Sequence, residues 1–149
     1  MNYNGRLIDA LLRYVRALDG WDQELALTKV WAALESLVGV ENARYDDLVR
    51  RCSFLFENLD YHKQLLEHFR ETRNMNVHSG VRPAEVKNAV YAIAFYFVRL
   101  FEFHIQMGRN FKSFAEANEF LDLSPDPSLL IRKVSLGKLG LKYRGNGGS

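Results

Sequence analysis

The sequence holds a single cysteine, Cys52, among its 149 residues. No intramolecular disulfide can form, and no thiol pair is available for a zinc or redox motif. Cys52 lies in a helical pattern with no His or Cys at ligand spacing, so it reads as a buried or semi-buried thiol in a reducing compartment. Long hydrophobic runs are also lacking. The longest uncharged stretch, Asn88 to Val98, is too short to span a bilayer. The N-terminal MNYNGRLIDALLRYVRALDG carries charges throughout and has no apolar core of the signal-peptide kind. A cytoplasmic protein without a membrane partner is expected. There is no glycine-rich phosphate loop, HExxH or EF-hand loop. The four histidines, His62, His68, His78 and His104, do not fall at metal-ligand spacing. No metal and no cofactor is expected.

What is present is helical. A composition of 48% hydrophobic and 26% charged residues is that of a globular chain rather than a disordered one. Its length suits one domain with a substantial core. Leu7, Leu11, Leu12, Val15 and Leu18 recur at three- and four-residue spacing, predicting a first helix over Gly5 to Leu18 with one apolar stripe. Asp22 can cap a second helix that runs to Gly39. A third begins near Asp46 and continues through Phe56. A fourth, restarted at Asn58 or Asp60, carries Leu65, Leu66, Phe69 and Val77 and stops at Gly80. Pro83 suits the first turn of a long fifth helix reaching Gly108. Its AVYAIAFYFVRLF stretch is apolar on nearly every face, as in a central core helix. Those aromatics read as core rather than as a base-stacking surface, because nothing polar interleaves with them at the start. Ser113 and Glu116 form a capping-box pair for a short sixth helix. The fold class is therefore all-α, a compact bundle of five to six helices over residues 1–127.

Charge is uneven. Net charge is +2, yet Arg132, Lys133, Lys138, Lys142 and Arg144 all follow Ser128 with no acidic residue among them. Before Ser128 there are 15 basic and 18 acidic side chains. Segment 128–149 is expected to be a basic, partly disordered tail, with one candidate strand near Ile131 to Val134. Its alternative role is an arm that touches phosphates or a partner.

One stretch carries chemistry: Arg70-Glu71-Thr72-Arg73-Asn74-Met75-Asn76-Val77-His78-Ser79-Gly80. At about 100° per residue, Asn74 and His78 share a face one turn apart. Arg73 lies roughly 140° from His78 around the axis, with Arg70 between them. A long Arg side chain can curl toward the face that His78 presents. His78 sits in the last turn, where the helix dipole favours its protonated form. An imidazole with an amide and one or two guanidiniums suits phosphodiester chemistry. The His can exchange protons with a ribose 2′-OH or a leaving 5′-oxygen, and the Arg can hold the phosphate. No metal is needed when the substrate supplies its own 2′-OH. The structural alternative is that Arg73 pairs with Glu35 or Glu67 and that His78 merely closes the helix.

Arg73-Asn74-x-x-x-His78, on a helix ending in Ser79-Gly80, resembles the R-x(4–6)-H motif of HEPN domains, and its Arg-Asn start with Val-His resembles the Apea-like branch. Val30-Trp31-Ala32-Ala33-Leu34-Glu35-Ser36-Leu37 is similar to that branch's aromatic-x-x-Leu-Glu helix. The resemblance covers roughly Asp22 to Phe103. It implies a helical bundle acting as a metal-independent endoribonuclease in defence, toxin–antitoxin or RNA-processing systems. By the same resemblance Arg73 and His78 are catalytic and Asn74 supports them. The resemblance makes Glu35 a buried or interfacial helper; its charge in an apolar stretch suggests either a partner, with Arg73 the candidate, or solvent exposure on the helix's polar face. The resemblance also implies a homodimer in which two such motifs face each other across one cleft. RNA is the expected substrate, with an antitoxin or a larger effector as a further partner. Some relatives are instead non-catalytic dimeric or RNA-binding modules.

Overall fold

The computed structural model describes residues 2–39, 44–78 and 83–147, without the side chains of 76–78 and 146–147. Among the described residues the chain is all-α. It has helices α1 (Asn4–Leu18), α2 (Gln23–Val38), α3 (Tyr45–Phe54), α4 (Leu59–His78), α5 (Pro83–Met107), α6 (Phe114–Leu121) and α7 (Pro127–Gly147), with a 3₁₀ turn at Gly108–Asn110 and no strand. No described helix is long and apolar enough to cross a membrane.

The caps follow the sequence. The Asp22 carboxylate accepts from the amides of Glu24 and Leu25 at 3.0 and 3.2 Å, satisfying two free donors of α2. Ser113 Oγ accepts from the Glu116 amide at 3.1 Å, starting α6. The reciprocal half of that box differs from the usual pattern, because Glu116 Oε2 reaches the amide of Lys112 rather than of Ser113. At the end of α2, Gly39 adopts a left-handed φ of 77° and donates its amide to Glu35 O at 2.9 Å. A Cβ placed there would lie 2.6 Å from Phe114 Cε1 of α6.

The core is centred on α2. Its Leu27, Val30, Trp31, Leu34 and Leu37 are buried, and it packs against α1, α3, α4 and α5. The sequence nominates the fifth helix for that position. In the structure α5 buries Ile93, Tyr96, Phe97 and Leu100 but leaves Tyr91, Phe95, Val98 and Ile105 exposed. A second difference concerns α1. Of its predicted apolar stripe only Leu7 is buried, and the helix docks instead through Leu7, Ala10, Ala17 and the ring of Tyr14. Small alanines let α1 approach α2 closely, and Tyr14 stacks on Phe97 of α5 with ring centroids 4.3 Å apart.

The third difference is the C-terminal segment. In place of a partly disordered tail and a short strand, residues 127–147 form α7, and every described side chain from Ile131 onward is exposed. Asp126 Oδ1 accepts from the Ser128 amide at 2.9 Å at the helix start. Leu129, Leu136 and Tyr143 recur at seven-residue spacing, which a helix places on one side.

Cys52 is buried, and burial pushes its thiol up to about 12. His104 is also fully buried. Its Nδ1 shares a 3.1 Å hydrogen bond with the Tyr3 hydroxyl, and burial pulls the imidazole down to about 4. An unfolded histidine protonates near 6.5, so between about pH 6.5 and 4 the unfolded chain binds more protons and stability falls with falling pH. At pH 5 the contribution from His104 should be about 2 kcal/mol smaller than at pH 7.5. Urea midpoints at the two pH values should show that loss in the wild type and much less of it in His104→Gln. An equal loss in both would assign the effect elsewhere.

Candidate functional site

The site is built on α4, which two aromatic anchors hold against its neighbours. At its start His62 Nδ1 and the Tyr96 hydroxyl of α5 lie 2.7 Å apart, and Phe56 stacks over the imidazole at 3.8 Å. Burial lowers the pKa of His62. Further along, Leu66 is buried and its carbonyl accepts from the Tyr45 hydroxyl of α3 at 3.1 Å. The Tyr45 ring lies against Trp31 of α2 at 6.1 Å between centroids and is covered by the Arg70 guanidinium at 3.6 Å. Trp31, Tyr45 and Arg70 thus join α2, α3 and α4 in one stack, with the cation on the outside.

One turn beyond Arg70 come Arg73 and Asn74, both half-buried. Arg73 Nη1 donates to Asn74 Oδ1 at 3.1 Å. Arg73 Nε is buried and has no hydrogen-bond partner. Fixed by its neighbour and partly desolvated, this guanidinium retains donor capacity for an acceptor brought from outside. His78 is the last residue of α4, one helical turn from Asn74, but its side chain lies outside the described residues. So do Ser79 and the predicted helix stop Gly80.

The Glu35–Arg73 pair is not formed. Among the described residues no ion pair joins Arg73 to Glu35 or to Glu67. Glu35 is half-buried near the end of α2, where partial exposure lets a carboxylate be solvated without a cation. Arg73 turns instead to Asn74, the residue next to it. The Arg70 guanidinium lies over the Tyr45 ring.

Beside Arg70 an open concavity of about 590 Å³ is lined by Arg44, Tyr45, Asp46, Asp47 and Arg50. Arg50 is taken up by Asp47 and Asp122 at 2.6 and 2.9 Å. Arg51 forks onto Asp122 at 2.8 and 3.0 Å and donates to Val38 O at 3.0 Å, tying α3 to the ends of α2 and α6. Burial alone would raise the Asp122 carboxyl; the bonds from Arg51 and Arg50 outweigh it and hold that group below its ordinary value. Arg44 and Arg70 have no carboxylate partner among the described residues. Sequence reasoning missed Tyr45 and Arg44. The stack that makes Tyr45 part of the site joins three helices, and no local spacing announces it.

No protein-family description, curated protein or solved structure matches this chain.

Proposed function

We propose that this chain is a metal-independent endoribonuclease of the HEPN type. The observation that carries the reading is Arg73. Its guanidinium is half-buried and held by Asn74, and its Nε lacks a partner, on the same helix end as His78. In this reading the ribose 2′-oxygen attacks the adjacent phosphorus and the bond from phosphorus to the 5′-oxygen breaks. A 2′,3′-cyclic phosphate and a 5′-hydroxyl result. His78 accepts the 2′-OH proton or donates one to the leaving oxygen. Arg73 stabilises charge on the equatorial oxygens, and Asn74 orients it. Arg70 and Arg44, beside the open concavity, are placed to hold flanking phosphates. Self-association, and control by an antitoxin or a larger effector, belong to the same proposal.

A second reading rests on the Arg73–Asn74 bond itself, which a purely structural arginine would also make. The chain would then be a non-catalytic interaction or RNA-binding module. Purified protein incubated with mixed RNA in EDTA separates the two, with an Arg73→Ala/His78→Ala double variant alongside. Cleavage to cyclic-phosphate ends by the wild type, and none by the variant, is the expected result. Equal turnover by both, or by neither, would remove the nuclease reading.

A further inference from the structure

The two differences noted in α1 and α5 concern the same side of the molecule. On α1 the apolar side chains left outside are Ile8, Leu11, Val15 and Leu18, at spacings of three, four and three, with Leu12 beside them. On α5 Tyr91, Val98 and Ile105 are exposed, with the half-buried Ala94 and Phe101 between them, at spacings of three, four, three and four. Such spacing sets a straight apolar seam along one side of a helix and is the pattern of helices that pack lengthwise against others. The exposed fractions are large: 56% for Ile8, 54% for Val15, 65% for Tyr91 and 53% for Ile105.

Helix geometry joins the seams. Tyr3 meets His104 and Tyr14 meets Phe97, so α1 and α5 run antiparallel and side by side. At about 100° per residue, both seams begin next to that contact and turn to the side away from α2. Together they make one two-helix apolar face of several hundred Å², the scale at which an exposed patch marks an interaction site. That is of the same order as the roughly 800 Å² that each partner contributes to a stable standard-sized interface. The edges of the face carry both signs, with Asp9 and Arg16 along α1 and Arg99 paired to Glu102 along α5 at 3.0 Å. An apolar centre with a mixed polar rim is the anatomy of a specific protein interface.

We infer that the face formed by α1 and α5 is covered by the same face of a second copy of this chain, giving a four-helix packing about a two-fold axis. Area and self-complementary seams favour a copy of the chain over a lipid surface, since an interfacial helix lies singly and carries a one-signed polar face. This inference uses nothing from the Arg73–His78 motif, and it has a consequence for it. Tyr96, which bonds His62 of α4, lies roughly opposite the seam around the α5 axis. Pairing through α1 and α5 therefore leaves the two α4 helices on the outer flanks. Motifs facing each other across one cleft would need a second, separate contact.

The test is the mass of the full chain in solution at micromolar concentration, by sedimentation or light scattering. Ile8→Lys/Tyr91→Lys changes two of the most exposed seam residues, so each chain should keep its helical spectrum while the assembly mass halves. Val15→Ser/Val98→Ser, a milder pair, should shift the same equilibrium toward the smaller species. An unchanged mass in Ile8→Lys/Tyr91→Lys would overturn the inference, whether the wild type is a monomer or an oligomer. Halving by Leu139→Glu/Leu141→Glu in α7 instead would also overturn it, by assigning assembly to α7. RNA turnover is read separately, so the ribonuclease reading can fail while this one stands.

Discussion

Replacing His78 by alanine is expected to lower RNA turnover by about 10²–10⁴-fold, the usual loss when a positioned acid–base group is removed. The variant should unfold at nearly the wild-type urea concentration, since His78 is the last residue of α4 and helix ends add little to global stability. Arg73→Lys addresses a different physical requirement. Lysine keeps the positive charge but loses the planar fork that bonds Asn74 Oδ1 and leaves Nε free. It should therefore not restore the activity lost in Arg73→Ala. A deoxyribose at the cleaved position should abolish cutting, because the nucleophile is gone, and EDTA should have little effect. Efficient cutting of DNA, or strict dependence on Mg²⁺, would refute this chemistry. Turnover unchanged in both variants would assign the activity to another site or another protein.

The largest effect on stability is expected from Phe97→Ala. Phe97 is buried, stacks on Tyr14 at 4.3 Å and lies 6.0 Å from Phe101 in a parallel arrangement. Removing it deletes the aromatic contact through which α1 docks on α5 and leaves a cavity beside Leu100. Truncations of buried phenylalanine cost about 3–5 kcal/mol, a large part of the stability of a domain this size. Tyr91→Ala on the exposed side of the same helix should change stability by only about 0.5 kcal/mol in the monomer. Urea unfolding of both variants at low protein concentration measures the contrast. Similar losses at the two positions would mean that Tyr91 is already packed against another molecule under those conditions.

Much of the fold was legible because helices announce themselves locally. Asp22, Ser113, Gly39 and Pro83 each mark an end through chemistry confined to a few neighbouring residues, and each lies at or beside the helix end it predicts. Which face of a helix turns inward was less legible. Leu11, Leu12 and Val15 are more apolar than Ala10 and Ala17, yet the alanines are buried. Close approach of α1 to α2 favours small side chains, a requirement set by the partner helix and invisible to a count of apolar residues. The site shows the same division. The Arg73–Asn74 bond lies between adjacent residues and could be anticipated from their position on one helix. The Trp31–Tyr45–Arg70 stack could not, since its three members come from three helices. The candidate Glu35–Arg73 pair failed for a related reason. A charge in an apolar stretch of sequence suggests a buried partner, but its place near the end of α2 leaves it partly solvated.

Gly39 bears on which parts of this sequence can drift. Gly5, Gly20, Gly137 and Gly140 have nothing within 4 Å of an added Cβ and have ordinary backbone angles, so descendants can replace them at little cost to the fold. Position 39 has no such latitude. A side chain there meets the Phe114 ring and the Asn118 amide at once, and its backbone angle penalises every L-residue. Relieving the clash by shrinking Phe114 would uncover Tyr3, whose ring packs on it at 5.6 Å, and would remove the ring beneath the Arg6 guanidinium. No single compensating replacement is available. Among distant descendants of this chain, the α2–α6 junction should persist as a fixed word even where the surrounding letters have changed.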